Sequence, residues 1–209
     1  MKVKLCGFSE ENSLKAAIEH APDFIGFVFH ENSPRNITPQ QALNLAQFVP
    51  QKIAKVAVVV DAKIDFLREI AKSLNPQYFQ LHGQENIAKI LEIKQNFPEI
   101  GIIKAFSPEN RQDLEKTAKF IDFVDFLLFD NKIAGSGKLW DFSLLNNFIC
   151  KKDWFLSGGL NIQNIEQILK NSNAKMIDIS SGIEEIRGEK SPKLIAEFMQ
   201  KIRKNARNS

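Results

Sequence analysis

Short runs of apolar, β-branched and aromatic residues alternate with amphipathic stretches along the whole chain. The runs that read as strands are Val3–Cys6, Phe24–Phe29, Lys55–Val60, Tyr78–Leu81, Gly101–Ala105, Val124–Phe129, Trp154–Leu156 and Met176–Ile179. They are short and almost continuously apolar, as strands buried on both faces of a parallel sheet must be. Between them apolar residues recur at helical spacing. Ile64, Leu67, Ile70, Ala71 and Leu74 form one stripe, and Ile162, Ile165, Ile168 and Leu169 another. Leu194, Ile195, Phe198, Met199 and Ile202 form the last. Thr38-Pro39-Gln40-Gln41 has the form of a capping box with proline in the first turn, and Ser107-Pro108 and Ser191-Pro192 are expected to open helices in the same way.

Eight strand–helix units follow, with no linker or low-complexity tract between them. Alternation of this kind implies an α/β fold with a parallel sheet. Eight units favour a closed (β/α)8 TIM barrel over an open doubly wound sheet. No GxGxxG follows the first strand, which weighs against a dinucleotide-binding open sheet. Residues 1–209 therefore read as one barrel domain.

Composition narrows the function. The net charge of +3 is thin. The one basic cluster, Lys201 to Arg207, reads as the solvated end of a terminal helix, where cations complement the helix dipole. Neither nucleic acid nor membrane is an expected partner. Cys6 and Cys150 form no CxxC pair and no disulfide framework, which fits a reducing cytoplasm. The N-terminus lacks the apolar segment of a signal peptide, and the stretch around Phe123–Phe129 is too short and too charged to span a bilayer. Three scattered histidines give no metal-ligand spacing, and no cofactor motif is present.

A barrel carries its chemistry where strands end. The residues there are Cys6-Gly7, Ser33-Pro34-Arg35, Asp61, His82-Gly83, Phe106-Ser107, Asp130, Ser157-Gly158-Gly159 and Ser180-Ser181-Gly182. The opposite ends carry ordinary loop residues such as Pro22-Asp23, Gln51-Lys52 and Lys152-Asp153. That asymmetry points to an enzyme. Gly158 and Gly159, with Ser180, Ser181 and Gly182 on the neighbouring strand, are candidate phosphate ligands. Glycine lets backbone N–H groups approach an anion, and a following helix N-terminus adds positive character. A phosphorylated small molecule is the expected partner. Gly135-Ser136-Gly137-Lys138 reads as a loop that closes over substrate, or as a plain connection. Cys6 is either a buried small apolar residue or a reactive thiol; Lys4, on the same face two residues earlier, is expected to lower its pKa. Asp130 is a general acid or a cap for the next segment. His82 is a ligand group or a satisfied polar residue, and His20 and His30 carry no context.

Read in order, these strand ends resemble the phosphoribosylanthranilate isomerase family. The resemblance runs from Val3 to about Ser191. It rests on Val3-Lys4-Leu5-Cys6-Gly7, on Gly26-Phe27-Val28-Phe29 with Ser33-Pro34-Arg35, and on Gln80-Leu81-His82-Gly83. Further along it rests on Leu128-Phe129-Asp130 with Gly135-Ser136-Gly137, on Leu156-Ser157-Gly158-Gly159-Leu160, on Asp178-Ile179-Ser180-Ser181-Gly182-Ile183-Glu184 and on Gly188-Glu189-Lys190. It implies an Amadori rearrangement of an aminoaldose to an aminoketose, with Cys6 as general base and Asp130 as general acid. It further implies that Arg35 pairs with the anthranilate carboxylate, and that His82, Gly135, Gly137 and Asp178 contact or frame the substrate. Ala134, Asn131 and the third strand's Val58-Val59-Val60-Asp61 depart from the family pattern. The alternatives are another phosphate-binding barrel isomerase or a barrel that only binds a phosphorylated metabolite. The histidine-pathway isomerase would place aspartates where Cys6 and Ala105-Phe106 stand. A monomer is the simpler expectation, because no long apolar surface stripe stands out.

Overall fold

Eight parallel strands close on themselves in chain order. They are β1 (Lys2–Cys6), β2 (Phe24–Phe29), β3 (Ala54–Val59), β4 (Tyr78–Leu81), β5 (Gly101–Phe106), β6 (Phe126–Phe129), β7 (Trp154–Leu156) and β8 (Met176–Ile179). The computed structural model describes residues 1–130, 142–145, 148 and 150–207. The helices outside the barrel are α1 (Glu11–Glu19), α2 (Pro39–Ala46), α3 (Ile64–Leu74), α4 (Ile87–Asn96), α5 (Arg111–Thr117), α6 (Ile165–Asn171) and α7 (Pro192–Arg207). In the sixth unit the described residues contribute a 3-10 turn, Phe142–Leu145, where a helix was expected. A short antiparallel hairpin that the pattern did not predict, β9 (Glu184–Ile186) and β10 (Glu189–Lys190), follows β8. Among the described residues no helix is long and apolar enough to cross a membrane.

Local chemistry explains where the elements begin. The capping box at α2 forms: Thr38 Oγ1 accepts from the Gln41 amide at 3.2 Å, and Gln41 Oε1 accepts from the Thr38 amide at 2.8 Å. Ser191 Oγ likewise accepts from the Leu194 amide at 3.3 Å and opens α7. Ser107-Pro108 does not open a helix. Asn110 takes the cap role, accepting from the Asp113 amide at 3.0 Å, so α5 starts three residues later than expected. At the lower rim three polar side chains cap strand amides of a neighbouring strand. Asp23 accepts from Val3 N–H at 2.8 Å, Gln77 from Lys55 N–H at 2.8 Å, and Asp125 from Ile102 N–H at 2.7 Å. The Asp125 bond, with the 3-10 turn Ala118–Phe123 before it, removes Val124 and Asp125 from the expected sixth strand.

The registers sort the inward side chains into layers of four drawn from alternate strands. Phe24, Tyr78, Phe126 and Met176 form the floor, with ring centroids 5.5–6.1 Å apart among the three aromatics. Lys4, Val56, Ile103 and Phe155 come next, then Gly26, Gln80, Leu128 and Asp178. Cys6, Val58, Ala105 and Ser157 stand above them, and Val28, His82, Asp130 and Ser180 form the mouth. The interior thus grades from aromatic to polar toward the ends where the strands stop. Outward residues such as Leu5, Phe27, Phe79, Leu127 and Ile177 pack under the helices.

On the outer face near the mouth, Lys104 ties three loops together. Its buried Nζ donates to Leu81 O, Gly83 O, Ala105 O and Glu85 Oε2, at 2.8–3.2 Å. Glu85 accepts in turn from the Asp61 and Gly83 amides. Burial holds the Lys104 ammonium below the usual lysine range, with Glu85 acting against it. Lys104→Ala strands Glu85 as a buried carboxylate without its cation. Urea unfolding should register a loss of about 3–5 kcal/mol; a loss below about 1 kcal/mol, the level of a surface pair, would refute this account.

Candidate active site

The mouth encloses a cavity of about 300 Å³, at the small end of the range for small-molecule sites. Cys6, Arg35, His82, Asp130, Gly158, Gly159, Asp178, Ser180 and Ser181 all line it. Gly182 does not. A Cβ there would lie 1.9 Å from Leu160 O, so its missing side chain lets the loop after β8 lie against the loop after β7. Gly135 and Gly137 fall outside the described residues. Asp61 turns away from the cavity and caps the Gln84 amide at 2.8 Å.

The corner at β7 and β8 is a pair of adjoining turns. Gly158 and Gly159 take successive positive φ values of 94° and 74°, a backbone that side-chain-bearing residues rarely adopt. The expected helix N-terminus does not follow β8 directly. The 3-10 turn Ser181–Ile183 and the β9–β10 hairpin intervene before α7. Positive charge comes instead from Lys190 on β10, whose Nζ donates to Ser180 O at 3.0 Å and Ser180 Oγ at 3.1 Å.

The hairpin also changes the role expected of Arg35. Its Nε and Nη2 donate to the two oxygens of Glu184 at 2.6 and 2.7 Å, so this edge of the guanidinium fork holds a protein carboxylate. Lys190 reaches the same carboxylate at 2.5 Å. Burial works to raise the Glu184 pKa, and the Arg35 and Lys190 charges override it, leaving it below the ordinary range. Burial also works to lower Arg35, but Glu184 raises it above its ordinary value. Lys190 is pulled down by burial to about 8 despite Glu184.

Opposite β1, His82 sits between Gln80 and Asp130. Gln80 Nε2 is 3.0 Å from His82 Nδ1. With the Gln80 amide in this orientation its nitrogen donates, which assigns Nδ1 as acceptor and the ring proton to Nε2. Nε2 lies 3.4 Å from Asp130 Oδ2. Gln80 Oε1 is buried without a partner among the described residues.

Around Cys6 the expected pKa shift reverses. Burial pushes the thiol up, and the Lys4 cation only partly opposes it. The Lys4 ammonium is itself above its ordinary range: burial would lower it, but Asp178 and Cys6 outweigh burial. Gln80, Glu184 and Lys190 were not expected to have a role, and His30, which carries no context in the sequence, also lines the cavity, as does Arg187. Gln80 was within reach, standing two residues before His82 on the same strand face. Glu184 and Arg187 carried no such signal.

The sequence pattern of the family described as N-(5'-phosphoribosyl)anthranilate (PRA) isomerase matches residues 3–201. The N-(5'-phosphoribosyl)anthranilate isomerase of Zymomonas mobilis subsp. mobilis is 38% identical, over 97% of this chain and 98% of the relative. A phosphoribosyl anthranilate isomerase crystallised with reduced 1-(o-carboxyphenylamino)-1-deoxyribulose 5-phosphate superposes with a TM-score of 0.84 at 27% identity, over 98% of this chain and 99% of the other. The same scores and coverages hold for the Thermotoga maritima enzyme described as monomers generated from a dimeric protein. The chain therefore belongs to the phosphoribosylanthranilate isomerase family, enzymes of tryptophan biosynthesis.

Proposed function

We propose that the chain converts N-(5′-phosphoribosyl)anthranilate to 1-(2-carboxyphenylamino)-1-deoxyribulose 5-phosphate, with Cys6 as general base and Asp130 as general acid. The observation that carries this reading is a thiol and a carboxyl on β1 and at the end of β6, across one cavity from each other, with an anion corner beside them. Asp130, protonated, gives its proton to the furanose ring oxygen. The C1′–O bond breaks as the anthranilate nitrogen lone pair forms the Schiff base. Cys6, as thiolate, takes the C2′ proton, and the electrons left behind give the enolamine, which tautomerises to the ketone. The His82 Nε2–H is aimed at Asp130 and orients it.

The substrate phosphate is assigned to Gly158, Gly159, Ser180 and Ser181, with Lys190 behind Ser180. Gly182 serves by letting the two turns meet. The anthranilate carboxylate is assigned to the Nη1–Nη2 edge of Arg35, which Glu184 leaves available and holds rigid. Gly135 and Gly137 keep the substrate-binding assignment that the resemblance implies, and no cofactor or metal enters the scheme. We place the enzyme in the cytoplasm on its unpaired cysteines.

Loss of substrate fluorescence should follow wild type, and Cys6→Ala and Asp130→Asn should each lose at least about 10² in kcat. Near-normal turnover in either variant would remove that residue from the mechanism.

Lys190 gives a pH prediction. Its folded pKa of about 8 lies below the 10.5 of an ordinary lysine, so the folded site loses this cation as pH rises through about 8. Affinity for inorganic phosphate should fall above that pH, and Lys190→Met should bind weakly and without this pH step. A wild-type affinity that stays flat between pH 8 and 10 would sink the assignment. The same sign applies to stability: between the two pKa values the unfolded chain binds the extra proton, so this group makes folding more favourable as pH rises.

The chain is proposed to be a monomer. Among the described residues the large exposed apolar side chains, Met1, Leu43, Leu91 and Ile186, lie on separate segments. Light scattering should return a mass near 23.8 kDa; twice that mass would overturn the proposal.

A further inference from the structure

Lys4 has no task in the scheme above, yet its side chain is fully buried inside the barrel. Its Nζ lies 2.8 Å from Asp178 Oδ1. The two residues are register partners where β1 meets β8. Asp178 Oδ2 also takes a hydrogen bond from Ser157 at 3.5 Å. Above this pair stands Cys6, whose register partner on β2 is Gly26. A Cβ on Gly26 would lie 2.6 Å from Cys6 Sγ and 3.2 Å from Lys4 Nζ. Thiol and ammonium therefore share the space that a glycine leaves inside the barrel, next to apolar residues such as Val56 and Leu128.

We propose that Lys4 is a positioning residue for Cys6: its ammonium, anchored by Asp178, is the counter-ion that holds the thiolate while it takes the substrate's C2′ proton. This rests on Cys6 being the base. The chemistry balances without a new bond to lysine. The thiol proton leaves to solvent through the open mouth before substrate covers it. The thiolate then takes the C2′ proton and becomes a thiol again, and Lys4 stays protonated throughout. A buried ion pair alone gives little reason for this arrangement, because well-packed apolar residues of the same volume serve stability as well or better. A cation beside a thiol that burial disfavours ionising does give a reason.

Among the described residues other charges face Cys6, and none duplicates Lys4. Arg35 after β2 and Lys190 on β10 favour the thiolate, but both are committed to Glu184. Asp178 on β8 opposes it, Asp130 after β6 also lines the cavity, and His82 after β4 is turned toward Asp130.

The test reads the ionisation of Cys6 in the full chain on a Cys150→Ser background, by the pH dependence of its alkylation by iodoacetamide. In Lys4→Met the midpoint should rise by about 1 to 3 pH units. The neutral-pH kcat should fall by about 10- to 1000-fold in step, with KM little changed. Lys4→Arg, which keeps the charge, should bring the midpoint back toward wild type. A folded Lys4→Met with a wild-type midpoint overturns the proposal. If Lys4→Met does not fold, the Lys4 side-chain carbon resonance of the intact protein is followed instead. It should inflect at the Cys6 midpoint and lose that inflection in Cys6→Ala; an unchanged titration overturns the proposal. Turnover surviving in Cys6→Ala would overturn the base reading itself. An unmoved midpoint beside an inactive Cys6→Ala overturns only the role of Lys4.

Discussion

Everything at the mouth depends on how the barrel closes, and it closes over a buried ion pair. β1 and β8 are the first and last strands of the barrel, and their pairing closes it. Lys4 and Asp178 face each other in that register and form a bond of 2.8 Å with almost no solvent contact. Burying each ion costs several kcal/mol even after relaxation, so the pair is tolerable only when both members are present and aligned. A slip of one residue would turn Lys4 and Cys6 toward the helices together. The pair that fixes the register therefore also fixes which way the thiol points.

The layered interior shows why the chemistry is confined to one end. The floor is filled by Phe24, Tyr78 and Phe126, with Phe155 packed edge-on at 5.2 Å from Phe24. No substrate enters there. Polar side chains appear only from the second layer upward, and each is supported from a neighbouring strand or from below. Gln80 orders His82, Asp178 holds Lys4, and Ser157 touches Asp178. Support of this kind holds a reacting group within a fraction of an ångström, which loops alone rarely achieve.

Much of this was legible in the sequence because barrel strands obey a period of two. β2, β4, β7 and β8 have the bounds that their apolar runs predict. β3 begins one residue early because the Ala54 amide already bonds to Asp23 O. It ends early because Asp61 adopts a left-handed φ of 46° and turns the chain. Cys6, Asp130 and the two glycine–serine turns could be found because each ends or directly follows a strand. Glu184 could not. It stands in a polar hairpin of five described strand residues, with no periodicity to mark it, and only the folded chain brings it to Arg35, 149 positions away in sequence. The direction of the Cys6 shift was misread for a related reason. The sequence displays Lys4 as a neighbour but says nothing of the burial that outweighs its charge.

Glu184 also explains how two buried cations can stand close together without repelling each other apart. Arg35 and Lys190 serve different groups of the proposed substrate, yet they approach the same carboxylate from two sides. Without that anion, two buried cations would face each other in a medium that screens poorly. With it, each cation keeps a fixed direction: Arg35 toward Glu184, and Lys190 toward Glu184 and Ser180.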